Sequence, residues 1–175
     1  MALIVEDGLG VVSAASYASI ATIDAYWAAR THSSFYTTWN AGTTAKKEGS
    51  AREASAFLDA VYGSYYRGVR RGYVQGLLWP RTDALDDAGY PLPDLPPELV
   101  AATCELCARA YSAALQADVD PAARVQSETV GPIEMTYFDA GSSAPAVSYG
   151  VVSKLIDPLL NGSQPGAPNA AWPWA

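Results

Sequence analysis

The sequence is poor in the side chains that most often carry chemistry. It has one histidine, His32, and two cysteines, Cys104 and Cys107. His32 stands beside Ser33 and Ser34, but no G-x-S-x-G accompanies it, and a serine–histidine–acid triad needs a held geometry. It reads as a surface or partly buried polar residue. The cysteines form C-x-x-C inside "PELVAATCELCARAY", a stretch with helical spacing. Structural zinc needs about four ligands, and only His32, far away in sequence, could add to the pair. A redox pair would open a helix after a strand, where the helix N-terminus lowers the thiol pKa. A mid-helix position favours two buried small apolar residues, with metal or redox roles as the alternative.

Other motifs are missing too. No glycine run matches G-x-x-x-x-G-K-[ST], and no internal repeat or heptad array is visible. Asp83, Asp86 and Asp87 lack the alternation and final glutamate of a calcium loop. Paired carboxylates for hydrolysis would need a pocket that no pattern announces. The sequence therefore predicts no enzyme, no metal and no cofactor. No apolar run approaches the roughly 20 residues needed to span a bilayer, and "MALIVEDGLG" has no basic n-region. The expectation is a soluble protein made in a cytoplasm, with no membrane partner.

Basic charge is scarce and unevenly placed. The 175 residues carry a net charge of −7. Residues 1–82 hold eight basic groups against six acidic ones, net +2; residues 83–175 hold three against twelve, net −9. Phosphate affinity comes mainly from Lys and Arg, so such a chain is a poor general binder of nucleic acid. It could still line a passage through which DNA slides.

What the sequence does have is a 50% share of hydrophobic residues, with 11 tyrosines and 5 tryptophans. That supports one cored domain over about 1–160, followed by an extended segment over 161–175. "LIVED" is a strand candidate. Ser19 caps a first helix at about 20–31, and residues 32–42 look like a loop. A second helix spans about 44–62, with Ala51, Ala54, Leu58, Val61 and Tyr62 buried and Gly49 weakening its start. A third runs over about 97–117, with Pro97 in its first turn and Glu98 near the positive end of its dipole. Residues 124–138 alternate with period two and predict two strands, or one kinked at Gly131-Pro132. A fourth helix is expected at about 147–160, ended or kinked by Pro158. The fold class is mainly α: a small bundle of about four helices with a β extension.

Two stretches invite a functional reading. In "GSYYRGVRRGYVQGLLWPR", Arg67, Arg70 and Arg71 alternate with Tyr65, Tyr66 and Tyr73. Tyrosines stacking on bases and arginines on phosphates would bind a single strand. Alternatively, the arginines pair with acidic groups of the same or a neighbouring subunit. The link from Asp83 to Pro97 reads as a stiff, extended excursion turning at Asp86–Gly89. The last stretch, "NGSQPGAPNAAWPWA", contains Trp172, Pro173 and Trp174. This fits an anchor for a partner's groove, or a segment folded onto its own domain.

The order of these parts resembles a known family. "MALIVEDGLG", "SYASIATIDAYWAAR", "AREASAFLDAVY", the Trp79-Pro80-Arg81 corner, "LPPELVAATCELCARAY", "VQSETVGPIEMTYF" and "YGVVSKLIDPLL" follow one another as in head–tail connector, or adaptor, proteins of long-tailed bacteriophages. Many members of that group also carry the description DnaT-like single-stranded DNA-binding protein. The resemblance covers about residues 1–160. It implies a virion protein at the neck, in a ring commonly of twelve copies. That ring would lie beneath the portal protein and above the next connector, stopper or tail-terminator protein, with the genome passing through its lumen without specific binding. Trp172, Pro173 and Trp174 match the position of a portal-docking segment. Arg67, Arg70, Arg71, Asp83, Asp86, Asp87, Glu128 and Glu134 are the expected intersubunit contacts. A half-polar strand pair suits pairing with a neighbour's edge, and a head-to-tail ring needs complementary, non-identical surfaces. The competing class is a single-strand DNA-binding module using Tyr65, Tyr66, Arg67, Arg70, Arg71 and Tyr73.

Overall fold

The computed structural model describes residues 2–116, 127–130, 133–136 and 149–162. Among them are five α-helices: α1 (Ile20–Ala28), α2 (Ser34–Asn40), α3 (Thr44–Tyr62), α4 (Pro97–Ser112) and α5 (Gly150–Ile156). Two short antiparallel pairs accompany them. β1 (Val69–Arg70) pairs with β2 (Arg81–Thr82), and β3 (Ser127–Val130) pairs with β4 (Ile133–Thr136). The fold class is the expected one, mainly helical with a small hairpin.

α4 is the axis of the bundle. It packs against α3, α5, α2 and α1. From Ala102 to Ala108 every side chain is buried, as is Leu99 one turn earlier. A helix enclosed this fully cannot show a narrow apolar stripe. Its polar members are satisfied locally: the Thr103 hydroxyl donates to the Leu99 carbonyl at 2.8 Å, one turn back. Cys104 and Cys107 lie in this wall. Burial pushes the Cys104 thiol up to about 12 and the Cys107 thiol well above its ordinary value. Both are therefore packed as small apolar groups, far from the reactive thiolate state.

Side-chain bonds tie the other helices to this axis. Trp27 of α1 donates its indole N–H to the Cys104 carbonyl at 3.2 Å. Tyr62 of α3 and Ser153 of α5 are 3.0 Å apart, hydroxyl to hydroxyl. Asp24 on α1 accepts from the Trp39 indole at 2.7 Å and from the Lys47 ammonium at 2.8 Å, joining α1, α2 and α3.

Several boundaries differ from the sequence expectation. Residues 34–40 form α2 instead of a loop. Ser33 caps it, accepting from the Phe35 N–H at 3.2 Å, and Trp39 is buried beneath it. Serine, threonine and aromatic residues are weak helix formers, so tertiary packing decides here. α1 stops at Ala28, three residues early. α4 stops at Ser112, because Ala113 is extended at φ −158° and ψ 157°. α5 covers only Gly150–Ile156 before a 3-10 turn at Asp157–Leu159, which holds Pro158. "LIVED" makes a single parallel bridge, Val5 to Ser16, in place of a strand. Within the 124–138 segment the described residues Ser127–Val130 and Ile133–Thr136 form two strands, with Val130 opposite Ile133 in register.

Two substitutions test this packing. Gly49 lies exposed in α3 with open space where a Cβ would go. Gly49→Ala should raise stability by about 0.5–1 kcal/mol, seen as a higher urea midpoint with unchanged slope. Leu106→Ala, in the fully buried wall, should cost about 2–5 kcal/mol in the same measurement.

Candidate functional site

The excursion between α3 and α4 is the part of the chain richest in arginine, and a buried junction helps pin it to the bundle. Tyr17 and Asp59 meet there. The Tyr17 hydroxyl donates to Asp59 Oδ1 at 2.5 Å and accepts the N–H groups of Leu78 at 3.1 Å and Trp79 at 3.2 Å. Asp59 Oδ2 accepts the Leu78 N–H at 2.9 Å. Buried loop backbone must find such partners, and here they free Trp79 to sit fully buried against Tyr66. Burial raises the Asp59 carboxyl to about 6, although the Tyr17 and Leu78 hydrogen bonds and the Arg70 and Arg81 guanidiniums pull the other way.

A second buried carboxylate shapes the N-terminal loop. Glu6 is only 2% exposed. Its Oε1 accepts from the N–H groups of Gly8 at 3.0 Å and Gly10 at 2.8 Å, and its Oε2 from Val11 at 3.0 Å. That loop lies against residues 70–76: Gly76 donates its N–H to the Val11 carbonyl at 3.0 Å. A Cβ on Gly76 would come within 2.4 Å of the Ala14 carbonyl oxygen, so only glycine fits this contact.

The arginines all donate to carbonyls of their own chain, Arg67 and Arg81 from half-buried positions and Arg70 and Arg71 from exposed ones. Arg81 is half-buried between strands, donating from Nε to the Arg67 carbonyl and from Nη2 to the Gly68 carbonyl, both at 2.6 Å. Arg67 donates to the Leu160 carbonyl at 2.8 Å and the Leu85 carbonyl at 3.0 Å, and pairs with Asp87. Arg70 donates to the Gln75 carbonyl at 2.8 Å. Arg71 donates to the Gly8 carbonyl at 2.6 Å and pairs with Asp94. Asp87 is 88% exposed, so its ion pair contributes little, about 0–1 kcal/mol. The carbonyl contacts do most of the fastening.

The expected site residues are thus distributed as follows. Arg67 and Arg71 pair within their own chain, with Asp87 and Asp94. Asp86 builds its own turn, its Oδ1 accepting the N–H groups of Ala88 at 2.9 Å and Tyr90 at 2.8 Å. The turn at Asp86–Gly89 is where the sequence placed it. Asp83 is exposed at φ 57°. Tyr65 is half-buried, and Tyr66, at 4% exposure, is withdrawn from any stacking platform. Tyr73 is 96% exposed. Glu128 faces Met135 in register, and Glu134 faces Thr129. Trp172, Pro173 and Trp174 lie outside the described residues. Sequence reasoning missed Glu6, Tyr17, Asp59, Gln75 and Arg81. The one available signal was glycine spacing: an acid followed by Gly8 and Gly10 suits a carboxylate collecting loop amides.

The described residues thus define a class: a helical domain carrying an arginine-stapled loop platform, with no group of metal-ligating side chains among them. Residues 1–171 match the family described as "Putative DnaT-like ssDNA binding protein", and the chain belongs to that family. No curated protein and no solved structure matches it.

The two carboxylates give separate predictions. Asp59 has a folded pKa near 6, above the unfolded value of about 3.9. Its protonated form suits the fold, so its contribution is fully present below about pH 4 and is lost as pH rises to about 6. Asp59→Asn should abolish that fall, so that the difference from the native chain shifts in the variant's favour between those limits in chemical unfolding, on top of a pH-independent cost for the amide donor set against Leu78 or Tyr17. Glu6→Gln places an amide donor against an N–H and should cost about 1–3 kcal/mol at neutral pH. Amide exchange should quicken at Gly8, Gly10 and Val11.

Proposed function

We propose that the chain is a structural ring subunit of a bacteriophage neck, a head–tail connector (adaptor). In this role it joins the portal protein to the next connector, stopper or tail-terminator protein, and the genome passes through the ring without specific binding. The observation that supports this best is the engagement of Arg67, Arg70, Arg71 and Arg81 with carbonyls of their own chain. It yields a stiff platform rather than an open cationic track. On its two joined loops Leu9, Val12, Tyr73 and Val74 are exposed, which suits protein contact. The net charge of −7 suits a conduit that does not retain DNA. The order of sequence parts that resembles the connector family supports the same role. No catalytic step is assigned to it, and its place would be the virion neck.

A second reading is favoured by the family's description: a single-stranded DNA-binding module. Of the residues first considered for it, Arg70, Arg71 and Tyr73 are the ones exposed to solvent. The two readings separate in solution. On the connector reading, anisotropy titration of a fluorescent oligothymidylate at physiological salt shows no saturable binding, and electron microscopy of particle necks shows a ring of this chain. Tight binding that weakens with salt and is lost in Arg70→Ala, with circular dichroism unchanged, would establish the DNA-binding reading instead.

A further inference from the structure

α1 and the first turns of α4 leave an open groove of about 550 Å³ between them. Ala25 and Tyr26 form one wall; Leu95, Pro97, Val100 and Ala101 form the other. The lining is apolar, and its small residues leave width for a large side chain. The Tyr26 hydroxyl at its margin already donates to Glu105 at 2.8 Å.

The position of this groove limits what can cover it. Near the end of α4, Tyr111 packs edge-on against Trp39, and Lys46 of α3 sits over its ring. α4 therefore ends where α3 begins, and its first turns lie toward the far end of α3. At that far end the Asn161 N–H meets the Tyr65 carbonyl at 2.6 Å, one residue before Gly162. Residues 163–175 follow, and they carry no charged side chain. The stretch from Gly162 to Trp172 can span roughly 30 Å when extended, comparable with the width of a domain this size.

We propose that the groove seats Trp172 and Trp174 of the same chain. Proline disfavours the helical region for the residue before it, so Pro173 biases Trp172 to an extended backbone. In an extended chain residues i and i+2 point to one side, which lets both indoles lie along the apolar walls. No side chain of the segment is charged, so docking desolvates no side-chain charge. Seating in cis needs no ring and no portal, so it stands or fails independently of the neck assignment.

Fluorine NMR of the full chain labelled with 5-fluorotryptophan tests it, using a soluble paramagnetic agent to report exposure. Single Trp172→Phe and Trp174→Phe variants assign the two resonances. In the native chain both should be shielded, as those of the buried Trp27, Trp39 and Trp79 are expected to be. Ala101→Lys and Ala25→Arg, each on a different wall, should return both to full paramagnetic broadening with circular dichroism unchanged. Exposed resonances in the native chain would overturn the proposal, as would shielding that persists in both variants. Shielding lost on about tenfold dilution would place the segment on a second copy and overturn seating in cis.

Discussion

The loop platform depends on one junction, where the amides of Leu78 and Trp79 end on the Tyr17–Asp59 pair. Burying a tryptophan from a loop stabilises by a few kcal/mol, but only if the backbone carried inside with it is satisfied. Asp59 comes from the long helix α3 and Tyr17 from the segment before α1. The junction therefore fixes the excursion to two parts of the bundle. The carboxylate is itself costly to bury, which is why its proton affinity rises even beside two guanidiniums. From this point outward the excursion is organised by donors reaching for carbonyls: Arg81 between the short strands, Gln75 toward Leu77 and Pro80, Arg67 toward Leu160.

Much of the helical bundle was legible in the sequence because local and tertiary preferences agree there. α3 begins and ends at the predicted residues, and α4 starts at Pro97, where a missing N–H costs nothing. α2 was not legible: its Ser, Thr and aromatic residues favour no helix on their own, and Trp39 becomes decisive only once Asp24 and Tyr111 are beside it. The strand expected at "LIVED" failed because Glu6 collects the amides that follow it, bending the chain into a loop.

The candidate site was legible in composition and not in direction. Arginines and tyrosines do cluster at 65–73, but sequence spacing cannot say whether a guanidinium faces solvent or a carbonyl of its own chain. That direction is set by long-range partners such as Leu160 and Gly8. Tyr66 shows the same limit. Its burial follows from Trp79, thirteen residues later, and from the Leu58 carbonyl in the last turn but one of α3.

The arginine staples bear on the chain's tolerance of its surroundings. A guanidinium keeps its charge across ordinary pH, and a peptide carbonyl has no proton to gain or lose. Dissolved ions screen attraction between exposed charges, yet do little to a hydrogen bond between a half-buried guanidinium and a backbone oxygen. The platform fastened by Arg81 on the Arg67 and Gly68 carbonyls is thus built to keep its shape across wide changes of pH and ionic strength.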